Sequence, residues 1–149
     1  MPVSVKYHFS QRLTISAKDA FDWCTDFDPK DHDLMGDENA ERQITRLAHG
    51  LVILKDTFHT PQGTIEKKKL VHLYPDQLTW VSTHLTGPNK HSQFLYVITP
   101  QGKDASVLNF TALHVDYYDK VDTELVAVKL CKEDADAWKL LAKAMNAQS

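Results

Sequence analysis

The chain has 149 residues, of which 42% are hydrophobic and 25% charged, and its formal net charge is −3. This length and composition are typical of one globular domain, so we treat residues 1–149 as a single unit. The chain lacks the clustered basic face of nucleic-acid-binding proteins, and no run approaches the roughly 18 apolar residues of a membrane span. The first residues show no signal-peptide pattern, which predicts a cytoplasmic location.

The first segment changes its periodicity at Ser16. Over residues 3–15 the apolar side chains alternate, which predicts a half-buried strand, whereas after Ser16 they recur every three or four residues, which predicts a helix. Ser16 and Asp19 form a start that resembles a capping box. Asp28-Pro29 ends this helix and begins a second, short helix over residues 31–35.

Six apolar-rich runs separated by turn sequences follow the helices. They are residues 43–48, 51–58, 64–74, 78–85, 92–99 and 106–115. Glycine or proline occupies every break, and breaks this short join neighbouring antiparallel strands. The runs therefore predict a meander of hairpins and not parallel units.

Residues 121–147 contain no glycine or proline and predict one long amphipathic helix. A break near Lys132-Glu133-Asp134 is the alternative, because caps and acids gather there. Sheet and helix each present one apolar face, so we expect the helix to be buried on the sheet, against the first strand. If six of its eight stripe residues were fully buried, they would contribute roughly 9–18 kcal/mol as an upper bound. The apolar stripe is Val121, Leu125, Val128, Cys131, Ala135, Trp138, Leu141 and Met145.

This order of elements resembles the helix-grip fold of the START-related (SRPBCC) superfamily, which includes the birch-pollen-allergen-like proteins and the polyketide cyclase/lipid-transport family. "ISAKDAFDWCTDFD" (residues 15–28) is similar to that superfamily's entry segment, and "DQLTWVSTHL" (residues 76–85) is similar to its central strand. The resemblance implies an α+β fold in which a seven-stranded curved antiparallel sheet wraps around a long C-terminal helix, with two short helices after strand 1. It also implies a hydrophobic cavity between sheet and helix for a lipid, polyketide, isoprenoid or aromatic ligand.

Such a cavity sets an energetic condition. A dry space of roughly 300 Å³ would cost about 7 kcal/mol, comparable to the stability of a whole domain. We therefore expect the space to hold a ligand or water, or to be filled by the chain's own large side chains. The large side chains available are Tyr7, Phe9, Trp80, Phe94, Tyr96, Phe110 and Trp138.

Nine residues are candidates for ligand binding in this cavity. Aromatic and aliphatic side chains would provide contact area, and histidines an orienting hydrogen bond. His72, His84 and His114 fall within predicted strands in register with bulky residues; the alternative is that they lie on the outer face or are satisfied in the core. The candidates are Trp80, His84, Phe94, Tyr96, Phe110, His114, Leu125, Val128 and Trp138.

No motif indicates a metal, a cofactor or a catalytic nucleophile. An EF-hand loop that starts at Asp31 fails, because Met35 and Arg42 would occupy ligand positions. There is no zinc-ligand spacing, no GxSxG and no phosphate-binding glycine loop. We accordingly predict no metal site and no cofactor.

Two further features have plain structural interpretations. Cys24 and Cys131 lie on the apolar faces of predicted helices, so we expect reduced, buried thiols. The basic run at residues 67–69 would point to both faces of its strand, and we interpret it as solvated edge charge.

Three functions remain open. We predict a small-molecule carrier or sensor that binds a hydrophobic or aromatic ligand without catalysis of its own. The first alternative is an enzyme of the cyclase/aromatase or dehydratase kind, with His84 or His114 as general acid/base. The second is a regulatory interaction module whose acidic segment, residues 22–41, faces a basic partner. The sequence leaves a protein partner or a homodimer open.

Overall fold

The computed structural model describes residues 3–27, 40–116 and 122–147. The second predicted helix, over residues 31–35, lies outside the described residues, as does Val121. The six predicted meander strands are confirmed, with ends that shift by a few residues. The elements are β1 (Val3–Leu13), α1 (Ala17–Cys24), β2 (Ala40–Ala48), β3 (Leu51–Thr60), β4 (Gly63–Tyr74), a 3-10 turn (Pro75–Gln77), β5 (Thr79–His84), β6 (Gln93–Pro100), β7 (Ser106–Asp116) and α2 (Thr123–Asn146).

The seven strands form one antiparallel sheet in the order β1-β7-β6-β5-β4-β3-β2. The meander pairs each strand from β2 to β7 with the next, and β1 closes the far side by pairing with β7. Tight turns allow this: Gly50, between β2 and β3, has a φ of 78°, and a Cβ there would lie 3.1 Å from the Leu73 carbonyl oxygen. The fold class is α+β, a curved sheet that grips a long C-terminal helix, as predicted.

Helix α1 begins as its sequence predicts and ends earlier than predicted. The Ser16 hydroxyl accepts a hydrogen bond from the Asp19 N–H at 3.2 Å, which confirms the cap. The last turn closes at Cys24, where the Thr25 hydroxyl donates to the Phe21 carbonyl at 2.7 Å. The buried face of the helix closes one end of the sheet.

Helix α2 is a single uninterrupted helix, so the alternative of a break near residue 132 is wrong. It lies along β1, as predicted. The Cys131 Sγ is 3.6 Å from the His8 carbonyl oxygen, and the Thr14 N–H donates to Asn146 Oδ1 at 2.8 Å. One edge strand therefore holds the helix over four turns.

The apolar stripe of α2 is buried only in part. Leu141 and Met145 are buried, but Leu125 and Val128 are 68% and 69% exposed. The hydrogen bonds and close contacts that join α2 to β1 lie between residues 131 and 146. The turns before Cys131 extend past this contact, and Val126, Ala127 and Leu130 there are only half-buried.

Both cysteines are free thiols. Cys24 is buried as predicted, with its Sγ 4.0 Å from the Met145 sulfur, whereas Cys131 is only half-buried. Among the described residues, no helix is long and apolar enough to cross a membrane.

Candidate functional site: a cavity between the sheet and the C-terminal helix

A cavity of about 300 Å³ lies between the concave face of the sheet and the two helices. The chain's own large side chains therefore line this space and do not fill it. The apolar lining is Trp23, Cys24, Phe27, Leu54, Val71, Trp80, Phe94, Tyr96, Phe110, Ala137, Trp138 and Leu141. The polar lining is Arg42, Lys69, Ser82, His84 and Asp134.

An aromatic wall runs across β5, β6 and β7. The register places Trp80 opposite Tyr96 and Tyr96 opposite Phe110. The Trp80 and Tyr96 rings are stacked at 4.7 Å with an interplanar angle of 4°, and Tyr96 meets Phe110 edge to face at 5.1 Å. Trp138 of α2 completes the wall, 5.8 Å from Tyr96. These contacts fix large flat surfaces around the cavity.

The chain has three tryptophans, and all of them line the cavity. Trp23 comes from α1, Trp80 from β5 and Trp138 from α2. Tryptophan fluorescence therefore reports on this one space.

A buried ion cluster formed by Arg42, Asp56 and Lys69 occupies the other end of the sheet's concave face. Cross-strand register brings Arg42 of β2 opposite Asp56 of β3, whose side chain is 0% exposed. Arg42 donates from Nε to Oδ1 at 2.6 Å and from Nη2 to Oδ2 at 2.9 Å, the two-point geometry that a buried carboxylate needs. The Lys69 Nζ lies 3.5 Å from the same Oδ2.

His84 lies beside this cluster. It pairs with Lys69 across β4 and β5, and its ring is 5.0 Å from the Phe94 ring. Burial lowers the pKa of His84 to about 3, and the positive charges of Lys69 and Lys67 add to the shift. The imidazole is therefore neutral at pH 7, with one nitrogen that donates and one that accepts.

A second polar group lies on the helix side of the cavity. The Tyr7 hydroxyl, from β1, donates a hydrogen bond to Asp134 of α2. Burial raises the pKa of Asp134, and the hydrogen bond from Tyr7 opposes that rise. Burial, followed by the hydrogen bond to Asp134, raises the pKa of Tyr7. The cavity thus has cations on the sheet side and an acid on the helix side.

Six of the nine predicted site residues line the cavity together. They are Trp80, His84, Phe94, Tyr96, Phe110 and Trp138. His114 is buried, with its Nε2 3.7 Å from Asp116 Oδ2, but it is not among the described residues that line the cavity. Leu125 and Val128 lie exposed on α2, outside it. His72 lies on the strand face opposite to Lys69 and Val71. It therefore occupies the outer face, which was the alternative to a cavity position.

The interpretation of residues 67–69 as solvated edge charge is wrong for Lys69. Strand β4 lies inside the sheet, and Lys69 lines the cavity, while Lys68 is exposed on the other face. Sequence reasoning also missed Arg42, Asp56 and Asp134. A signal was present for Asp56, because it follows Val52 and Leu54 at the alternating, inward positions of β3.

Metal ligands are not gathered anywhere in the described part of the chain. Among those residues, no group of three or more His, Cys, Asp or Glu side chains could hold a metal ion. The acidic segment around Asp31 lies outside the described residues, as does most of the acidic face considered for a protein partner.

The geometry has clear counterparts among solved structures. Zhui aromatase/cyclase from Streptomyces sp. R1128 is 11% identical, with a TM-score of 0.73 over 98% of this chain and 93% of that one. Norcoclaurine synthase from Thalictrum flavum, in complex with dopamine and hydroxybenzaldehyde, is 17% identical, with a TM-score of 0.71 over 99% and 90%. Ara h 8.0201 is 11% identical, with a TM-score of 0.67 over 97% and 99%. No family model and no curated protein matches the sequence.

These likenesses establish the class of fold. The chain shares its helix-grip fold with these proteins, and this is the fold that its element order predicted. At identities of 11–17% the comparison concerns the fold, and function has to be argued from the cavity itself.

Proposed function

We propose that the protein binds a small aromatic or hydrophobic ligand in the cavity between its sheet and α2, as a carrier or sensor. The observation that carries this proposal is a space of about 300 Å³ whose apolar lining is mostly aromatic. That volume is at the lower end of the range for small-molecule sites, and a few polar groups in an apolar lining are their usual composition. Leaving such walls dry and empty would cost stability, whereas a ligand with flat rings would restore the lost contacts.

Native mass spectrometry of gently purified protein is the direct test. We expect a population with the added mass of a small molecule that disappears on denaturation. Calorimetric titration of ligand-free protein with 2-naphthylmethanol, a neutral two-ring probe, provides an independent measurement. The proposal is wrong if no small molecule co-purifies and no aromatic probe binds.

An enzyme is the second candidate, and Asp134 is the observation in its favour. A half-buried carboxyl with a raised pKa, in the lining and hydrogen-bonded to a tyrosine, is a common form of general acid/base. His84 suits that role less well, because a pKa of about 3 makes it a weak base at pH 7. Its neutral ring is better suited to orient a ligand.

Dopamine and hydroxybenzaldehyde, which occupy the norcoclaurine synthase structure, provide a first assay for the enzyme candidate. An enzyme that uses Asp134 should form a condensation product detectable by mass spectrometry, and D134N should bind but not convert. Binding of aromatic compounds without any conversion supports the carrier.

A further inference from the structure

Among the described residues, two cations, Arg42 and Lys69, contact one carboxylate, Asp56, at the sheet side of the cavity. Asp56 is the carboxylate at this end, and its two oxygens already accept both hydrogen bonds from Arg42. Lys69 adds a second cation, 3.5 Å from an oxygen that Arg42 also uses. Among the described residues, Asp56 is the one carboxylate within 4 Å of the Lys69 Nζ.

A third cation extends the same face. Lys67 is the direct cross-strand partner of Asp56, so the two side chains share the concave face. Its Nζ lies 5.5 Å from the centre of the Phe58 ring. Among the described residues, Arg42 and Lys69 thus contact Asp56, and Lys67 lies on the same face without an ion pair to it. Asp134, the acid in the described lining of the cavity, is on α2 and accepts a hydrogen bond from Tyr7.

Lys69 shares its nearest carboxylate with Arg42, and a buried cation is costly unless an anion compensates it. Lys69 has three N–H donors, lines the cavity and keeps only a quarter of its side chain exposed. The neutral His84 ring beside it can donate a hydrogen bond to the second oxygen of a bound carboxylate or to a neighbouring carbonyl oxygen. The aromatic wall begins at Phe94, next to His84, and provides a surface for rings.

We infer that the ligand of this cavity is an aromatic molecule with an anionic group, such as a carboxylate, and that this group lies against Lys69 and Arg42. This inference rests on the proposed function and names the class of ligand. The rings stack along Trp80, Tyr96 and Phe110, and the anion completes the ion cluster. Charge-assisted hydrogen bonds are about twice as strong as neutral ones, so the anionic group governs selectivity.

Three naphthalene probes of matched shape test the inference: 2-naphthoate, 2-naphthylmethanol and 2-naphthylmethylammonium. Calorimetric titration of the parent protein at pH 7 should show naphthoate bound about tenfold more tightly than the alcohol, and the ammonium most weakly. The preference should persist in 0.5 M NaCl, because ions screen a buried contact far less than an exposed one.

Two lysine variants locate the contact. K69M should lose about tenfold in naphthoate affinity and keep its affinity for the alcohol. K68M, one residue away on the outer face, should bind all three probes as the parent does. A preference that K68M abolishes and K69M retains would place the anion on the surface and overturn the inference.

Titration of the parent protein with the three probes tests the inference without any variant. If naphthoate and the alcohol bind with equal affinity, the anionic-ligand inference is overturned and the proposed binding function stands. If none of the three probes binds and nothing co-purifies, both are overturned.

Discussion

The hydroxyl of Tyr7 donates a hydrogen bond to the carboxylate of Asp134, and this contact joins an edge strand to the C-terminal helix at the wall of the cavity. The two residues are 127 positions apart in the chain. The hydrogen bond provides a donor to Asp134, a half-buried acid that has lost part of its hydration. It therefore has a predictable effect on stability.

Removing the Tyr7 hydroxyl should lower the free energy of unfolding, whereas removing the charge of Asp134 should maintain or raise it. Y7F leaves the Asp134 carboxylate without its partner and should cost about 1–2 kcal/mol of unfolding free energy. D134N keeps an oxygen that can accept from Tyr7 and removes a charge that burial disfavours, so at pH 7 it should be at least as stable as the parent. Urea denaturation measures both.

The pH dependence of the D134N effect follows from the raised pKa of Asp134. The folded state holds this proton more tightly than the unfolded chain, so the stabilising contribution is present below the ordinary aspartate pKa of about 3.9 and is lost as pH rises through the folded value. The advantage of D134N should shrink from pH 7 to pH 4. A D134N protein less stable than Y7F at pH 7 would contradict this account.

Loss of Arg42 should come close to unfolding the protein. R42M removes both hydrogen bonds that Arg42 donates to the fully buried Asp56, and breaking a buried pair in this way costs about 3–5 kcal/mol. R46M changes an exposed arginine on the same strand and should stay within about 0.5 kcal/mol of the parent. Thermal and urea unfolding of the two variants make the comparison. Equal, small effects would mean that Asp56 is better solvated than its burial indicates.

His84 should make the protein less stable in acid. The unfolded imidazole, with a pKa near 6.5, binds a proton over a range in which the folded one, with a pKa of about 3, does not. Unfolding free energy should therefore rise with pH from about 3 to 6.5, by at most about 1.4 kcal/mol per pH unit from this residue. H84Q should show a shallower slope, and H49Q, at an exposed turn position, should keep the parent slope. An unchanged slope in H84Q would show that the imidazole is solvated.

A larger side chain at Ala137 should block the cavity. Ala137 lines the space from α2, so A137F places a ring where the ligand would lie. We expect at least a tenfold loss of 2-naphthylmethanol binding with the fold retained by circular dichroism. L140F adds the same ring to an exposed position of the same helix and should bind normally. Normal binding by A137F would place the binding site elsewhere.

Leu125 and Val128, at the exposed end of α2, should not contribute to binding, whereas Leu141 of the same helix lines the cavity. L125S/V128S should change unfolding free energy by less than about 1 kcal/mol and leave probe binding unchanged, because both side chains are mostly exposed. L141A should cost about 2–5 kcal/mol, because Leu141 is buried at the sheet. Impaired binding by the double variant would restore Leu125 and Val128 as ligand contacts.

Local patterns in the sequence determined the elements and their order. Alternation defines β1, helical spacing defines α2, and glycine or proline marks each turn, because these signals depend on neighbours a few residues apart. The same patterns predicted that Trp80 and His84 share a face with each other. Six of the nine proposed contacts consequently line the cavity.

The tertiary structure alone decided which charges are inside. Strand β4 has apolar residues on both faces, so its sequence could not tell that Lys69, and not His72, points inward. The pairing of Arg42 with Asp56 depends on the β2–β3 register, and that of Tyr7 with Asp134 on the path of α2 along β1. The exposure of Leu125 likewise depends on how α2 lies against the sheet, which its own sequence does not specify. Contacts between segments far apart in the chain decide these features, so the local spacing of apolar residues cannot predict them.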